Sequence, residues 1–162
     1  MLLILVTATA VGFVEEVIFR GMMLRALLSR GPWQAAIISS LIFGAAHSLN
    51  LLFGANLGAT LLQMGYTLAL GFMFAALALR THTILLLIVA HSLTDFFGFL
   101  AYNSSVVTTG LSGLVMVVTC IEILLYAGYG LYLMRGMSLR PTLNDVQPPA
   151  AHDAARPEHV SA

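Results

Sequence analysis

Five long apolar runs constrain this chain more than any other feature of its sequence. Each is about 18 residues or longer with few charges, which is the length that an α-helix needs to cross a bilayer. They cover approximately residues 2–28, 33–53, 60–79, 83–102 and 113–134. Only 9% of the residues are charged, against about 25% in soluble domains, and mean hydropathy is +0.94. The sequence therefore predicts an all-α, polytopic transmembrane helix bundle of about five spans.

The breaks between the runs fall at residues that end helices. Gly31-Pro32 separates the first two runs, and the glycines at 54 and 58 flank the second break. We predict an intramembrane helical domain at residues 1–135 and a disordered cytosolic C-terminal tail at 136–162, which is rich in Pro and Ala. We reject a cleavable signal peptide, because residues 1–10 lack a basic segment and their removal would cut into the first run.

The arginines predict the orientation of the bundle. Arg25 and Arg30 follow the first run, Arg80 the third, and Arg135 and Arg140 the fifth, whereas the breaks after the second and fourth runs contain no Lys or Arg. Cytoplasmic loops carry the excess of basic residues. We therefore expect an integral, multi-pass protein of the lipid bilayer with its C-terminus in the cytoplasm.

Charge and cysteine usage exclude other classes of protein. The net charge is zero and the basic residues are all Arg, so no nucleic-acid partner is expected. The lone Cys120 rules out an intrachain disulfide and a zinc site built on a cysteine pair. We expect it to be a small buried side chain.

Two adjacent carboxylates, Glu15 and Glu16, interrupt the first run. Each costs roughly 2.5–3.5 kcal/mol at the centre of a membrane helix, and intramembrane ionisable residues mark functional sites by default. Arg20 follows Glu16 at i+4, with the acid N-terminal, which is the favourable order for a helical ion pair. This pairing would leave Glu15 free for another task.

Four ionisable groups on three runs are predicted to lie at one depth. Counted from the cytoplasmic end of each run at about 1.5 Å per residue, Glu15, His47, His91 and Asp95 rise by about 16 to 22 Å. That level is near the middle of a core about 30 Å thick, so we expect the four to meet. Glu122 lies at a similar depth in the fifth run, and its role is left open.

Local spacing adds two expectations about this group. His91 and Asp95 are at i and i+4, so the carboxylate is expected to hold the imidazole ring in one tautomer. Phe43 and His47 have the same spacing, so the Phe ring is expected to form a wall of the pocket.

Three motifs on successive runs carry a resemblance to a known family. They are Glu15-Glu16-Val-Ile-Phe-Arg20, Phe43-Gly-Ala-Ala-His47 and His91-Ser-Leu-Thr-Asp95. In this membrane context the set resembles the CPBP family of CAAX-processing and bacteriocin-processing (Abi) intramembrane proteases. The resemblance implies a CAAX-protease-like helical core and an endopeptidase that hydrolyses a peptide bond within the membrane.

The resemblance also implies a role for each motif residue. Glu15 would be the general base that takes a proton from water, and His47 would share that water. His91 and Asp95 would stabilise the tetrahedral oxyanion. The Glu–Arg pair of the first motif would hold Glu15 in place. The residues suit this chemistry, since amide hydrolysis needs a positioned base and donors aimed at the developing oxyanion.

Alternatives stay open at this point. The favoured hypothesis, hydrolysis without a metal, needs no cofactor. As an alternative, Glu15, His47, His91 and Asp95 could form a zinc ligand set. The zincin motif His-Glu-x-x-His is absent. A small proton or ion transporter would also use acids and histidines within spans, and a membrane immunity protein could keep the motifs without turnover. The substrate is expected to be a peptide or a membrane-protein segment, prenylated or not. The oligomeric state is open.

Overall fold

The computed structural model describes residues 1–103 and 113–138, and this part of the chain is helical without a β-strand. It forms five long helices: α1 (Leu2–Arg30), α2 (Pro32–Phe53), α3 (Leu57–Thr81), α4 (Leu85–Asn103) and α5 (Gly113–Met134). By length and composition α1, α2, α3 and α5 can each cross a membrane, while the apolar part of α4, Leu85–Leu100, is shorter. The predicted all-α transmembrane bundle is confirmed. Arg140 and nearly all of the predicted tail lie outside the described residues.

Two of the helices change their winding beside a predicted site residue. In α1 the α-helix covers Leu2–Glu16 and then becomes a π-helix over Val17–Met23, immediately after the Glu pair. In α2 the α-helix ends at Ala46, and a 3₁₀-helix begins at His47. π-Turns are rare and are found mostly at functional sites. Both irregularities therefore point to the same region of the bundle.

The connections between the first three helices follow the predicted breaks. Gly31 has a φ of 98°, which ends α1, and Pro32 opens α2. Gly54 ends α2 in the left-handed conformation with a φ of 84°. Asn56 then caps α3, its side-chain oxygen accepting the Ala59 backbone N–H at 3.2 Å.

The helices pack as two pairs that join near one end. α1 lies against α4 and α2 against α3, and α5 lies against α3. α1 approaches α2 and α3 mainly through its second half, from Val17 onward. Above that level the buried residues of α1 are Ala8, Gly12 and Glu16. Beyond Glu16, α1 lies chiefly against α4, and we call the region between the α1–α4 and α2–α3 pairs at that level the interhelical cleft.

An apolar cluster holds the opposite end of the bundle together. Its buried members come from α1, α2, α3 and α5: Leu24, Ala35, Ala36, Ala75, Ala76 and Met134. Arg25, Arg30, Arg80 and Arg135 lie at this end, as the sequence predicted for the described arginines. Arg80 also donates from Nε to the Leu133 carbonyl at 2.7 Å, which satisfies a carbonyl at the end of α5.

The expectation for Cys120 is wrong. Its side chain is exposed on α5 rather than buried. α5 packs chiefly against α3, so most of its apolar surface faces outward, where lipid rather than protein would cover it.

Candidate active site

The Glu16 carboxylate lies at the centre of the polar group. Its Oε1 accepts a hydrogen bond from Arg20 Nη1 at 2.9 Å and another from His91 Nδ1 at 2.8 Å. The predicted Glu16–Arg20 ion pair is therefore present, and both side chains are buried. The shared acceptor oxygen links α1 to α4.

Arg20 is surrounded by partners suited to a buried cation. Besides the bond to Glu16, Nη2 donates to the Gly71 carbonyl of α3 at 3.2 Å. The guanidinium carbon lies 4.5 Å from the centroid of the Phe43 ring and 5.5 Å from that of Phe74. Aromatic faces within about 6 Å attract a guanidinium. A carboxylate, a carbonyl and two rings thus replace the water that the charge has lost.

Gly71 allows this approach of α3 to α1 and α2. A Cβ atom at this position would lie 2.9 Å from Phe43 Cδ1 and 3.2 Å from Arg20 Nη2. A side chain here would force the Phe43 ring to shift and would press on the guanidinium. The contact therefore depends on a residue without a Cβ.

His91 connects the buried pair to the interhelical cleft. Because a carboxylate paired with Arg20 only accepts hydrogen bonds, Nδ1 carries the proton that points at Glu16. The other nitrogen, Nε2, lies 3.5 Å from Glu15 Oε2 and 3.8 Å from Asp95 Oδ1. Asp95 thus lies beside the ring, as its spacing predicted, but 3.8 Å is beyond hydrogen-bond distance. Glu16 of the neighbouring helix holds it instead.

His47 is oriented by its own helix. Its ring Nδ1 lies 3.0 Å from the Phe43 carbonyl. In a regular α-helix that carbonyl would accept the backbone N–H of His47, but the change to 3₁₀ winding turns this N–H to Gly44. Since a carbonyl only accepts, Nδ1 donates, and Nε2 of the neutral ring is left as an acceptor.

The Phe43 ring connects the two histidines. Its centroid is 5.1 Å from that of His47 and 5.9 Å from that of His91, with near-perpendicular planes in both cases. Phe43 is itself buried. Phe43 therefore lies between the two histidines, and its role as a wall of a pocket stays a prediction.

Burial divides the six predicted site residues into two groups. Three are buried, with exposed fractions of 0, 2 and 4%: Glu16, Arg20 and His91. The other three are half-buried at the interhelical cleft: Glu15, His47 and Asp95. The side chains of Glu15 and Asp95 are 29% and 23% exposed. Solvent therefore reaches the second group, whereas the Glu16–Arg20 pair is shielded from it.

Sequence reasoning missed what α3 contributes to the site. Gly71 supplies the carbonyl for Arg20, and the Phe74 ring lies 5.9 Å from that of His91. α3 has no Asp, Glu, His or Lys and no Arg before Arg80, so a search for charged groups and histidines assigned it nothing. The only signal in the sequence was Gly71 itself, because small residues within membrane helices favour close helix packing.

Glu122 belongs to a different polar group. It is half-buried on α5, and its charge acts on the Tyr66 hydroxyl of α3, on which Asp95 also acts. The Tyr66 ring makes an edge contact with Tyr126 at a centroid distance of 5.7 Å. No hydrogen bond or ion pair within the described part of the chain links Glu122 to the six site residues.

The metal alternative has a geometric test. Within residues 1–103 and 113–138, no group of three or more His, Cys, Asp and Glu side chains is arranged to hold a metal ion. Glu15, His91 and Asp95 approach one another, but the described contacts link His47 to them only through Phe43. The predicted four-ligand set is thus not assembled in this structure.

Comparison with known proteins adds one family. Residues 1–97 match the sequence model of a family described as type II CAAX prenyl endopeptidase Rce1-like. The match covers more than half of the 162-residue chain and includes all three motifs. No curated protein and no solved structure gives a significant match.

Proposed function

We propose a mechanism that starts from one premise: the chain belongs to the type II CAAX prenyl endopeptidase Rce1-like family. This membership and several helices long enough to span a bilayer support an integral membrane endopeptidase of the CAAX type acting on a peptide or protein. The finer proposal is that Glu15 and His47 activate a water molecule in the interhelical cleft, without a metal or other cofactor. The preferred substrate is a prenylated CAAX peptide.

The first step is proton transfer from water to Glu15. The Glu15 carboxylate is partly exposed, and the Nε2 of His47 is left to accept because Nδ1 is bound to the Phe43 carbonyl. A water molecule bound between them would give its proton to Glu15 while its oxygen attacks the carbonyl carbon of the scissile bond. A positioned base of this kind contributes about 10²–10⁴-fold to a rate.

The second step is stabilisation of the tetrahedral oxyanion. His91 Nδ1 is committed to Glu16, so only Nε2 is available to the cleft. When Nε2 carries a proton it is a donor, and protonated Asp95 would supply a second one. In a site shielded from bulk water such donors act strongly on developing charge.

The intermediate then collapses with balanced protons. The bond between carbon and nitrogen breaks, and Glu15 returns the proton it took from water to the leaving amine. The immediate products are a new carboxylic acid on one peptide and an amine on the other, and transfer of the acid proton to the amine leaves a carboxylate and an ammonium group. No covalent enzyme intermediate is needed.

Glu16 and Arg20 act in this scheme as positioning residues. They are buried and do not reach the cleft. The Glu16 contact goes to His91 rather than to Glu15, so the pair would hold the oxyanion-stabilising ring instead of the base.

One observation carries the proposal. His91 Nε2 lies 3.5 Å from Glu15 Oε2 at the level of the interhelical cleft. The proposed base and the proposed oxyanion donor are thus close enough to act on one substrate carbonyl.

Peptide cleavage by the purified full chain in detergent tests the proposal. We expect cleavage of a farnesylated CAAX peptide and about 10²–10⁴-fold slower turnover for Glu15→Ala and for His47→Ala. The matched controls are Glu122→Ala, which removes another intramembrane acid, and His82→Asn, which removes a histidine between α3 and α4. Both variants should cleave at about the wild-type rate. If Glu15→Ala and His47→Ala cut as fast as wild type, these roles are wrong.

The same cleavage assay tests whether the enzyme prefers a prenylated peptide and whether cleavage depends on a metal. A peptide of identical sequence without the prenyl group should be cleaved more slowly, and equal rates would contradict the preference. EDTA should leave the rate unchanged. Loss of activity with EDTA and its recovery with zinc would replace the proposed mechanism by the zinc-dependent one.

A further inference from the structure

A pocket lies at the arginine-bearing end of the bundle, away from the interhelical cleft. It has a volume of about 420 Å³ and lies where α3 and α5 end. Its lining residues are Arg80, Tyr132, Leu133 and Arg135. None of them takes part in the proposed hydrolysis.

Arg80 is fixed in place with hydrogen-bonding capacity to spare. Its Nε and Nη2 donate to the carbonyls of Leu133 and Arg135. A guanidinium has five N–H donors in a planar fork, so three have no protein acceptor in the described part of the chain. The fork is thereby oriented before any ligand arrives, which lowers the cost of binding.

Among the described residues, this end of the bundle carries positive charge without a neighbouring acid. Four arginines lie there: Arg25, Arg30, Arg80 and Arg135. The acids of the described residues all lie within helices at mid-depth: Glu15, Glu16, Asp95 and Glu122. Only Arg20 is paired with one of them among the arginines of the described ranges. An anion is therefore the complementary ligand.

Aromatic residues place the pocket at the level of lipid headgroups. Tyr132, which lines it, is 62% exposed and stacks on Tyr129 at a centroid distance of 6.2 Å. Trp33 packs at the same end of the bundle. Tyr and Trp concentrate at the membrane–water interface. Next to the pocket, the outward face of α5 offers exposed Leu125 and Leu131.

From these observations we propose that the pocket binds the phosphate of an anionic phospholipid. Arg80 and Arg135 donate to the phosphate oxygens, and the acyl chains lie along the apolar outer face of α5. Basic pockets between membrane helices bind anionic headgroups through this chemistry, and guanidinium–phosphate pairs are strong and directional. A free phosphate ion has the same oxygen acceptors but no acyl chains that could pack along α5.

Lipid binding to the full chain in a neutral detergent tests the proposal. Phosphatidylglycerol, phosphatidylcholine and inorganic phosphate are added separately, and bound lipid is counted by native mass spectrometry alongside the midpoint of thermal unfolding. We expect phosphatidylglycerol alone to bind stably and to raise the midpoint. Arg135→Gln should weaken its binding by about fivefold to tenfold, whereas the matched variant Arg30→Gln should not.

Arg135→Gln is the decisive variant because it keeps the backbone carbonyl that Arg80 binds, while Arg80→Gln also removes contacts at the end of α5. Equal binding of phosphatidylglycerol and phosphatidylcholine would overturn the proposal. An equal effect of inorganic phosphate would replace the lipid by a free anion. An equal loss in Arg30→Gln and Arg135→Gln would show general surface attraction and no pocket.

Discussion

Glu16 serves two partners with a single oxygen. Oε1 accepts from both Arg20 and His91, while Oε2 is buried without a hydrogen-bond partner in the described part of the chain. A buried polar oxygen without a partner is rare in folded proteins. Its two partners belong to different tasks, since Arg20 balances charge and His91 faces the proposed substrate. The energetics of the site therefore depend most on this residue.

Removing Arg20 alone should destabilise the protein severely. Arg20→Met leaves the Glu16 charge buried without its cation, which costs about 3–5 kcal/mol. Replacing both partners, as in Glu16→Leu with Arg20→Met, removes the uncompensated charge and should recover much of that loss. Unfolding midpoints of the single and double variants in detergent check this.

The cleavage activity of the same variants tests whether the Glu16–Arg20 pair positions His91 or only stabilises the fold. The double variant should stay inactive even where it is folded, because His91 has lost the acceptor that orients it. A stable and fully active double variant would contradict the positioning role. A double variant less stable than Arg20→Met would contradict the electrostatic argument.

Local spacing predicted one of the two helical pairs correctly and the other incompletely. Glu16 and Arg20 meet because residues at i and i+4 lie on one helix face and carry opposite charges. His91 and Asp95 share a face as well, yet Glu16 of another helix takes the hydrogen bond. Spacing within one helix does not show whether a side chain binds a residue of its own helix or a residue of the neighbouring helix.

At the scale of elements, α1 and α4 determine the geometry of the site by how closely they pack. Gly12 of α1 lies against Ser92 of α4, where a Cβ atom would be 2.7 Å from Ser92 Oγ and 2.9 Å from its backbone nitrogen. This contact lies one turn from the Glu pair and beside His91. The helix separation thus fixes the distance between Glu16 and His91.

Gly12→Ala should separate α1 from α4 and reduce activity. The overlap with the Ser92 backbone cannot be relieved by a side-chain rotation, so the helices must shift, at a cost of about 1–3 kcal/mol. Gly128→Ala on α5 is the matched control, since a Cβ there meets nothing within 4 Å. Cleavage rates and unfolding midpoints of the two variants check the prediction, and equal behaviour would contradict it.

Changes of winding were beyond the reach of the sequence. The apolar pattern of the first two runs fits an α-helix throughout, yet α1 turns π at Val17 and α2 turns 3₁₀ at His47. The winding depends on tertiary contacts, such as the reach of Arg20 to the Gly71 carbonyl. The residues before and after each change of winding are mostly apolar, so hydropathy does not distinguish the α-helical part from the π- or 3₁₀-helical part.

At the scale of the whole molecule, the pattern of arginines predicted the arrangement of helix ends. The described arginines outside the site gather at one end, where four helices share an apolar cluster. Run lengths and breaks sufficed for the helix bounds, because the limits come from the bilayer and from Gly and Pro. The arrangement of the helices in two pairs was not predictable, since it depends on which apolar faces pack together.

The arginine-bearing end is predicted to face the cytoplasm, and cysteine labelling tests this. In a Cys120→Ala background, Ala55→Cys between α2 and α3 should react with a membrane-impermeant thiol reagent in intact cells. Ser29→Cys at the other end should react only after permeabilisation; both positions are exposed. Cleavage activity confirms that each variant is folded. The reverse labelling pattern would contradict the predicted orientation.

The central claim is that Glu15 and His47 act on one shared water molecule. Residues that act as a unit lose their effect together, so their replacements are not additive. The measurement is single-turnover cleavage of a farnesylated CAAX peptide by wild type, Glu15→Gln, His47→Gln and the double variant. We predict that each single variant is about 10²–10⁴-fold slower and that the double variant is no slower than the slower single one. A double variant slowed by the product of the two single effects would contradict the claim.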